Sequence, residues 1–108
     1  MTAARHVVAV VPDLMDRSRL RADGVEVTVV PPGRLADAVG GARPVDLVVV
    51  DLSRPGAVEA VSGLGVPVVG FAPHVDDTLL AAARAAGIEA LPRSTFFRRW
   101  PAVGPAGD

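Results

Sequence analysis

The chain has 108 residues, half of them apolar, with twelve acidic and eleven basic side chains and a formal net charge of -1. That length points to one domain with a modest core, and the near balance of charge argues against a general nucleic-acid binder, which is expected to be strongly basic. There is no cysteine and no lysine, so disulfides, thiolate chemistry, thiolate metal sites and lysine-dependent mechanisms are excluded.

The opening residues, MTAAR, carry no apolar signal segment, and no apolar run approaches the roughly 18 residues of a membrane span. The expectation is a cytoplasmic protein with no membrane partner. Apolar runs then alternate with short helical patterns. HVVAVV (His6–Val11) is a continuous β-branched run, as expected of a strand buried on both faces. VEVTVV (Val25–Val30) alternates, with Glu26 and Thr28 on one side, and suits a strand nearer a sheet edge. GRLADAVGG puts Leu35, Ala38 and Val39 on one helical face and ends at Gly40 and Gly41.

DLVVV (Asp46–Val50) is a third strand, and PGAVEAVSGLG a helix that groups Val58, Val61 and Leu64. VPVVGF (Val66–Phe71) is a fourth strand. VDDTLLAAARAAG is the best helix, with Asp76 as its cap, Leu79, Leu80 and Ala83 on one face and Gly87 as its stop. IEAL (Ile88–Leu91) is a weak fifth strand, and STFFRRW a last helix stopped by Pro101. The tail PAVGPAGD, residues 101–108, is Pro/Gly-rich and is expected to be disordered after a domain of residues 1–100. Alternation of strand and helix with short turns gives βαβ units, hence a three-layer α/β domain around a five-stranded parallel sheet. Sites in such sheets lie outside the carboxyl ends of the strands. The residues to inspect there are Asp13, Asp51, Ala72, His74 and Arg93.

DLVVVDLSRPG, PVVGFAPH and AAGIEALPRS, in this order, resemble the receiver domain of bacterial response regulators, of the chemotaxis type. The resemblance spans nearly the whole chain and is weakest over residues 12–24 and after Arg99. It implies a flavodoxin-like fold with strand order 2-1-3-4-5, and it puts Asp51 at the position of the phosphoryl-accepting carboxylate. The departures are as informative. Receivers carry an acidic, magnesium-binding pair at the end of the first strand, where this chain has Val11 and Pro12, with Asp13 the nearest acid. A hydroxyl residue is replaced by Ala72, and the lysine of the fifth strand by Arg93. The resemblance is therefore to a degenerate receiver in which Asp51 is a vestigial phosphoacceptor. Thirteen residues from Pro12 to Gly24 leave little room for a first helix. The first and last helices, which cover the same face in receivers, are both shortened here, so that face is expected to be under-covered.

Each candidate also has a structural reading. Asp51 can anchor its loop, bonded to backbone amides or paired with Arg93, whose planar fork suits a carboxylate; the Arg93 pair is the one expected. His74 with Asp76 and Asp77 reads as a capped helix start or as a metal or proton-transfer site, and no second histidine lies near it. Arg17 and Arg21 form either a solvated face or an anion site. Phe96, Phe97 and Trp100 either plug a thin core or form an interface. The reading adopted is a receiver-like module acting by protein contact without conventional phosphorylation. It would act as a homodimer or with a heterologous protein, with no metal, no cofactor and no nucleic-acid partner. The alternatives are a small enzyme or ligand binder at the strand ends, and a regulator still phosphorylated at Asp51.

Overall fold

Among residues 5–73 and 77–104, which the computed structural model describes, five strands form one sheet. They are β1 (Arg5–Val10), β2 (Val25–Val29), β3 (Leu47–Asp51), β4 (Val68–Ala72) and β5 (Glu89–Pro92). All four pairings are parallel, and the order is β2-β1-β3-β4-β5. The helices are α1 (Leu14–Arg19), α2 (Leu35–Val39), α3 (Ala57–Val61), α4 (Asp77–Ala85) and α5 (Arg93–Arg99), with a 3-10 turn at Pro32–Arg34 before α2. The parallel α/β sheet is what the alternating pattern predicts, and its flavodoxin-like order is the one that the receiver resemblance implies. The expected cap of the fourth helix, Asp76, lies outside the described residues.

Side chains alternate across the sheet and build two cores. Val8, Val10, Val48 and Val50 pack with Leu35, Val61, Leu80 and Ala83 on the α2–α3–α4 side. Val7, Ala9, Val49, Val69 and Phe71 pack with Leu20, Phe96 and Val103 on the α1–α5 side. Because β3 sits at the centre and is covered on both faces, all five of its residues are buried, Asp51 included. Each of these fully buried valines contributes on the order of 1.5–3 kcal/mol relative to exposure.

The α1–α5 side carries two helices, six and seven residues long, against three on the other side, of five, five and nine residues. Its cover comes largely from aromatic rings. All four aromatic residues of the chain meet there: Phe71 and Phe96 lie 4.9 Å apart, Phe96 and Phe97 4.9 Å, and Phe96 and Trp100 5.6 Å between centroids. The Trp100 indole N–H donates to the Leu20 carbonyl at 3.0 Å and so ties the end of α5 to the end of α1. The segment after α5 adds to the cover, which corrects the expectation of disorder from residue 101 onward. Val103 is 1 % exposed, and the Arg5 guanidinium donates to the carbonyls of Pro101 and Val103 at 2.9 and 3.0 Å. Residues 105–108 of the expected tail lie outside the described residues. The deficit on this face is greatest at β2, where Val25 and Val27 are half-buried and Val29 is exposed.

Gly70 in β4 is a packing requirement. A Cβ there would lie 2.5–2.7 Å from three carbons of Leu52, which folds back over β4 just after β3. We expect Gly70→Ala to lower stability by about 1–3 kcal/mol through forced repacking of Leu52. Gly33→Ala, where nothing lies within 4 Å, should leave the melting temperature nearly unchanged. Thermal denaturation of both variants checks the comparison.

Candidate functional site

The carboxyl ends of β1, β3, β4 and β5 form one rim of the sheet. Asp51 ends β3 and is 7 % exposed. Its Oδ1 accepts two hydrogen bonds from Ser53, from the backbone N–H at 3.0 Å and from the hydroxyl at 2.6 Å. Its Oδ2 faces the Arg54 guanidinium at 3.7 Å. An Asp that bonds the backbone two residues on is a local turn device, so the carboxylate closes the β3–α3 corner on itself.

Arg93 does not pair with Asp51. It is the first residue of α5, directly after Pro92, and its guanidinium bonds the Asp16 carboxylate of α1. This corrects the expected Asp51–Arg93 pair. Asp51 already has nearer donors within its own turn, whereas Asp16 is 3 % exposed and needs a cation. The same arginine lies 5.4 Å from the Phe97 ring, and Arg19 lies 4.2 Å from it. Arginine over an aromatic face is favourable in its own right.

Asp13 caps α1, its Oδ1 accepting from the Asp16 N–H at 3.0 Å. Ala72 ends β4, fully buried and without a hydroxyl. His74 lies outside the described residues. Arg17 turns back to the end of β1, its Nε–H donating to the Val11 carbonyl at 2.7 Å. Helix α1 ends at Arg19, so Arg21 falls in the turn after it, yet Arg17 and Arg21 line one hollow beside β2. The structure therefore does not bring Asp13, Asp51 and Arg93 onto a common ligand position. Each is committed to a separate neighbour. Among the described residues no three His, Asp or Glu side chains gather into a group able to hold a metal ion.

The aromatic triad divides. Phe96 is fully buried and belongs to the core, which removes it from the expected interface. Phe97 and Trp100 are half-buried against it. His6, the other histidine, sits in β1 with both ring nitrogens engaged, Nδ1 with the Pro44 carbonyl at 3.0 Å and Nε2 with the Thr28 hydroxyl at 3.1 Å. Since a carbonyl only accepts, Nδ1 carries the proton.

Asp16 is the rim residue that sequence reasoning missed. Its signal was helical phase. Asp16 and Leu20 are four residues apart and share the inward face, while Leu14 and Met15 beside it are 74 % and 77 % exposed. Polarity is inverted in this turn, and a buried acid requires a partner elsewhere in the chain.

No helix among the described residues is long and apolar enough to cross a membrane. No protein-family model matches the chain, and a search of the curated proteins returned no match.

Double-mutant cycles separate the two rim carboxylates. Asp16→Asn and Arg93→Ala should show a coupling of about 1–2 kcal/mol in denaturant unfolding, because either change alone strands a partly buried charge. Asp51→Asn and Arg93→Ala should add to within ~0.5 kcal/mol. Asp51→Asn keeps an oxygen for Ser53 and should cost less than Asp51→Ala, which we expect to lose about 1–2 kcal/mol.

Proposed function

We propose that the chain is a receiver-like regulatory module of the cytoplasm that works by contact with another protein chain and not by conventional phosphorylation. The observation that carries this reading is the state of Asp51. It stands where the resemblance puts the phosphoryl acceptor, yet its carboxylate is bonded twice by Ser53 and faced by Arg54.

The surrounding groups support the same reading. Phosphoryl transfer to a carboxylate requires charge to be neutralised on the transferring oxygens, ordinarily by a divalent metal. Magnesium prefers an octahedron of oxygens. Val11 and Pro12 offer no side-chain oxygen at the end of β1, Asp13 is spent capping α1, and Asp16 is held by Arg93. Ala72 has no hydroxyl with which to sense a phosphoryl group. A cation that in a switch would follow the phosphoryl group is here part of the link between α1 and α5.

Contact as the mode of action draws on what the surface displays. The exposed large apolar side chains among the described residues are Leu14, Met15 and Val29. By topology all three lie toward the carboxyl ends of β1 and β2. In a contact module such side chains would be covered by the partner chain.

Incubation with acetyl phosphate and magnesium, followed by intact-mass spectrometry, tests the reading. The expected result is unmodified protein. A species heavier by one phosphoryl group, lost in Asp51→Asn, would overturn it.

A further inference from the structure

The two edges of the sheet are treated very differently. Strand β5 is four residues long, ends in Pro92, and gives its Ala90 carbonyl to Arg84 at 2.9 Å. Those are the usual means by which an exposed edge is kept from pairing with another chain. Strand β2 has no proline between Val25 and Val29 and carries one charge, Glu26.

Its free edge can be assigned from the ladder to β1. The Arg5 N–H donates to the Gly24 carbonyl, and the Val30 N–H donates to the Ala9 carbonyl, each at 3.0 Å. In a parallel pair the residues of one strand alternate between facing the partner and facing away. The even-numbered residues of β2 therefore bond β1, and Val25, Val27 and Val29 direct their peptide groups outward. The Val25 N–H is taken by the Ala22 carbonyl at 3.3 Å. The side chains of the same three valines line an open hollow of about 270 Å³ beside α1.

We propose that two copies of the chain pair edge to edge through β2, antiparallel about a two-fold axis at Val27, to make one continuous sheet. The inference rests on the reading of the chain as a contact module and names one partner for it, a second copy. It does not depend on Asp51.

The strand is self-complementary in this register. Val27 faces Val27 of the second copy as a hydrogen-bonded pair, and the two exchange both of their outward N–H and C=O groups. Val25 faces Val29 of the second copy, and each Val29 N–H meets a Val25 carbonyl. All six valine side chains fall on the face left thin by α1. On the opposite face Glu26 meets Thr28 of the second copy, so no like charges oppose one another. The Arg43 guanidinium, first through its hydrogen bond and then through its charge, holds Glu26 below the usual carboxylate range, so residue 26 is ionised at neutral pH. Residue 25 of the two copies is offset by four residues, roughly 13 Å along the strands, which sets the two Arg21 residues apart by more than the screening length of about 8 Å. Arg17 also lines the hollow, at the Val29 end where it bonds the Val11 carbonyl, so the pairing turns it toward Arg21 of the second copy, a like-charge approach at the rim that salt screens. A two-fold axis makes the contact closed, giving a dimer and not a fibre.

Sedimentation equilibrium on three proteins tests the register through charge. The wild-type chain should show a dimer at high micromolar concentration. Thr28→Glu sets a carboxylate against Glu26 twice per dimer, and Thr28→Arg sets a cation there. We expect Kd to rise about three- to thirtyfold for the first and to fall by a similar factor for the second, as cross-strand charge pairs imply. Both variants lose the same hydroxyl bond to His6, so stability alone cannot produce opposite shifts. Hydrogen exchange on the wild-type chain is the second measurement, with the Val27 and Val29 amides becoming protected as concentration rises. A wild-type monomer throughout, Kd values unmoved or moved in the same direction, or exchange at Val27 and Val29 independent of concentration would each overturn the edge dimer. None of these results bears on Asp51, whose reading is decided by the mass of the acetyl phosphate product.

Discussion

A parallel sheet must be covered on both faces, and on one face this chain has too little helix to do it. The connection from Pro12 to Gly24 yields a single six-residue helix, and α5 is barely longer. The other face has three helices, two of five residues and one of nine, so the shortage lies in the number of helices and their summed length. Most of what distinguishes the structure follows from that shortage. Bulk is supplied by clustering the chain's four aromatic rings on the α1–α5 side, where each ring buries more area than an aliphatic side chain. The chain after Trp100 is drawn in as a further layer, with Val103 as its plug and Arg5 as its clasp.

The same shortage shapes the rim. A helix of six residues cannot hold its place by its own hydrogen bonds, since isolated short helices are unstable in water. Helix α1 is instead pinned at each end. Asp16 reaches Arg93 near its start and the Leu20 carbonyl receives Trp100 at its finish, so α5 holds α1 at two points. One consequence is chemical. Arg93, at the end of β5, is occupied in holding two helices together, and Asp51 is left to Ser53 and Arg54 of its own turn. The proposed role in protein contact, in place of phosphoryl chemistry, is thus tied to how the thin face is braced. The other consequence is at β2, where bracing stops and three valines stay partly uncovered.

Much of this was legible in the sequence. The β-branched runs gave the strands to within two residues at either end, because continuous apolar runs between turns have few other uses in a chain of this size. The alternation of Glu26 and Thr28 with valines marked β2 as an edge strand. Gly40, Gly41 and Gly87 marked where helices stop. Side-chain partners were not legible. Arg93 and Asp16 stand 77 residues apart in sequence, and Arg5 is 96 residues from Pro101. No local pattern chooses between Asp16 and Asp51 as the anion for Arg93, since both lie near the same ends of the sheet. The choice follows from helical phase in α1 and from the nearness of Ser53 to Asp51. Residues 101–104 look like a disordered tail by composition, and distant partners make them part of the core: Arg5 on the Pro101 and Val103 carbonyls, and the α1–α5 core around Val103.

The central claim is that the rim is fixed by its own bonds, with Asp51 and Arg93 committed to different partners. It is tested most directly by following backbone amide resonances while beryllofluoride, a mimic of the phosphoryl group, is added with magnesium to the wild-type protein. The expected result is no change at Asp51, Ser53, Arg54 and Arg93 at any concentration. Saturable shifts centred on Asp51 and extending to Arg93 would contradict it, because they would require Asp51 to leave Ser53 and Arg93 to leave Asp16.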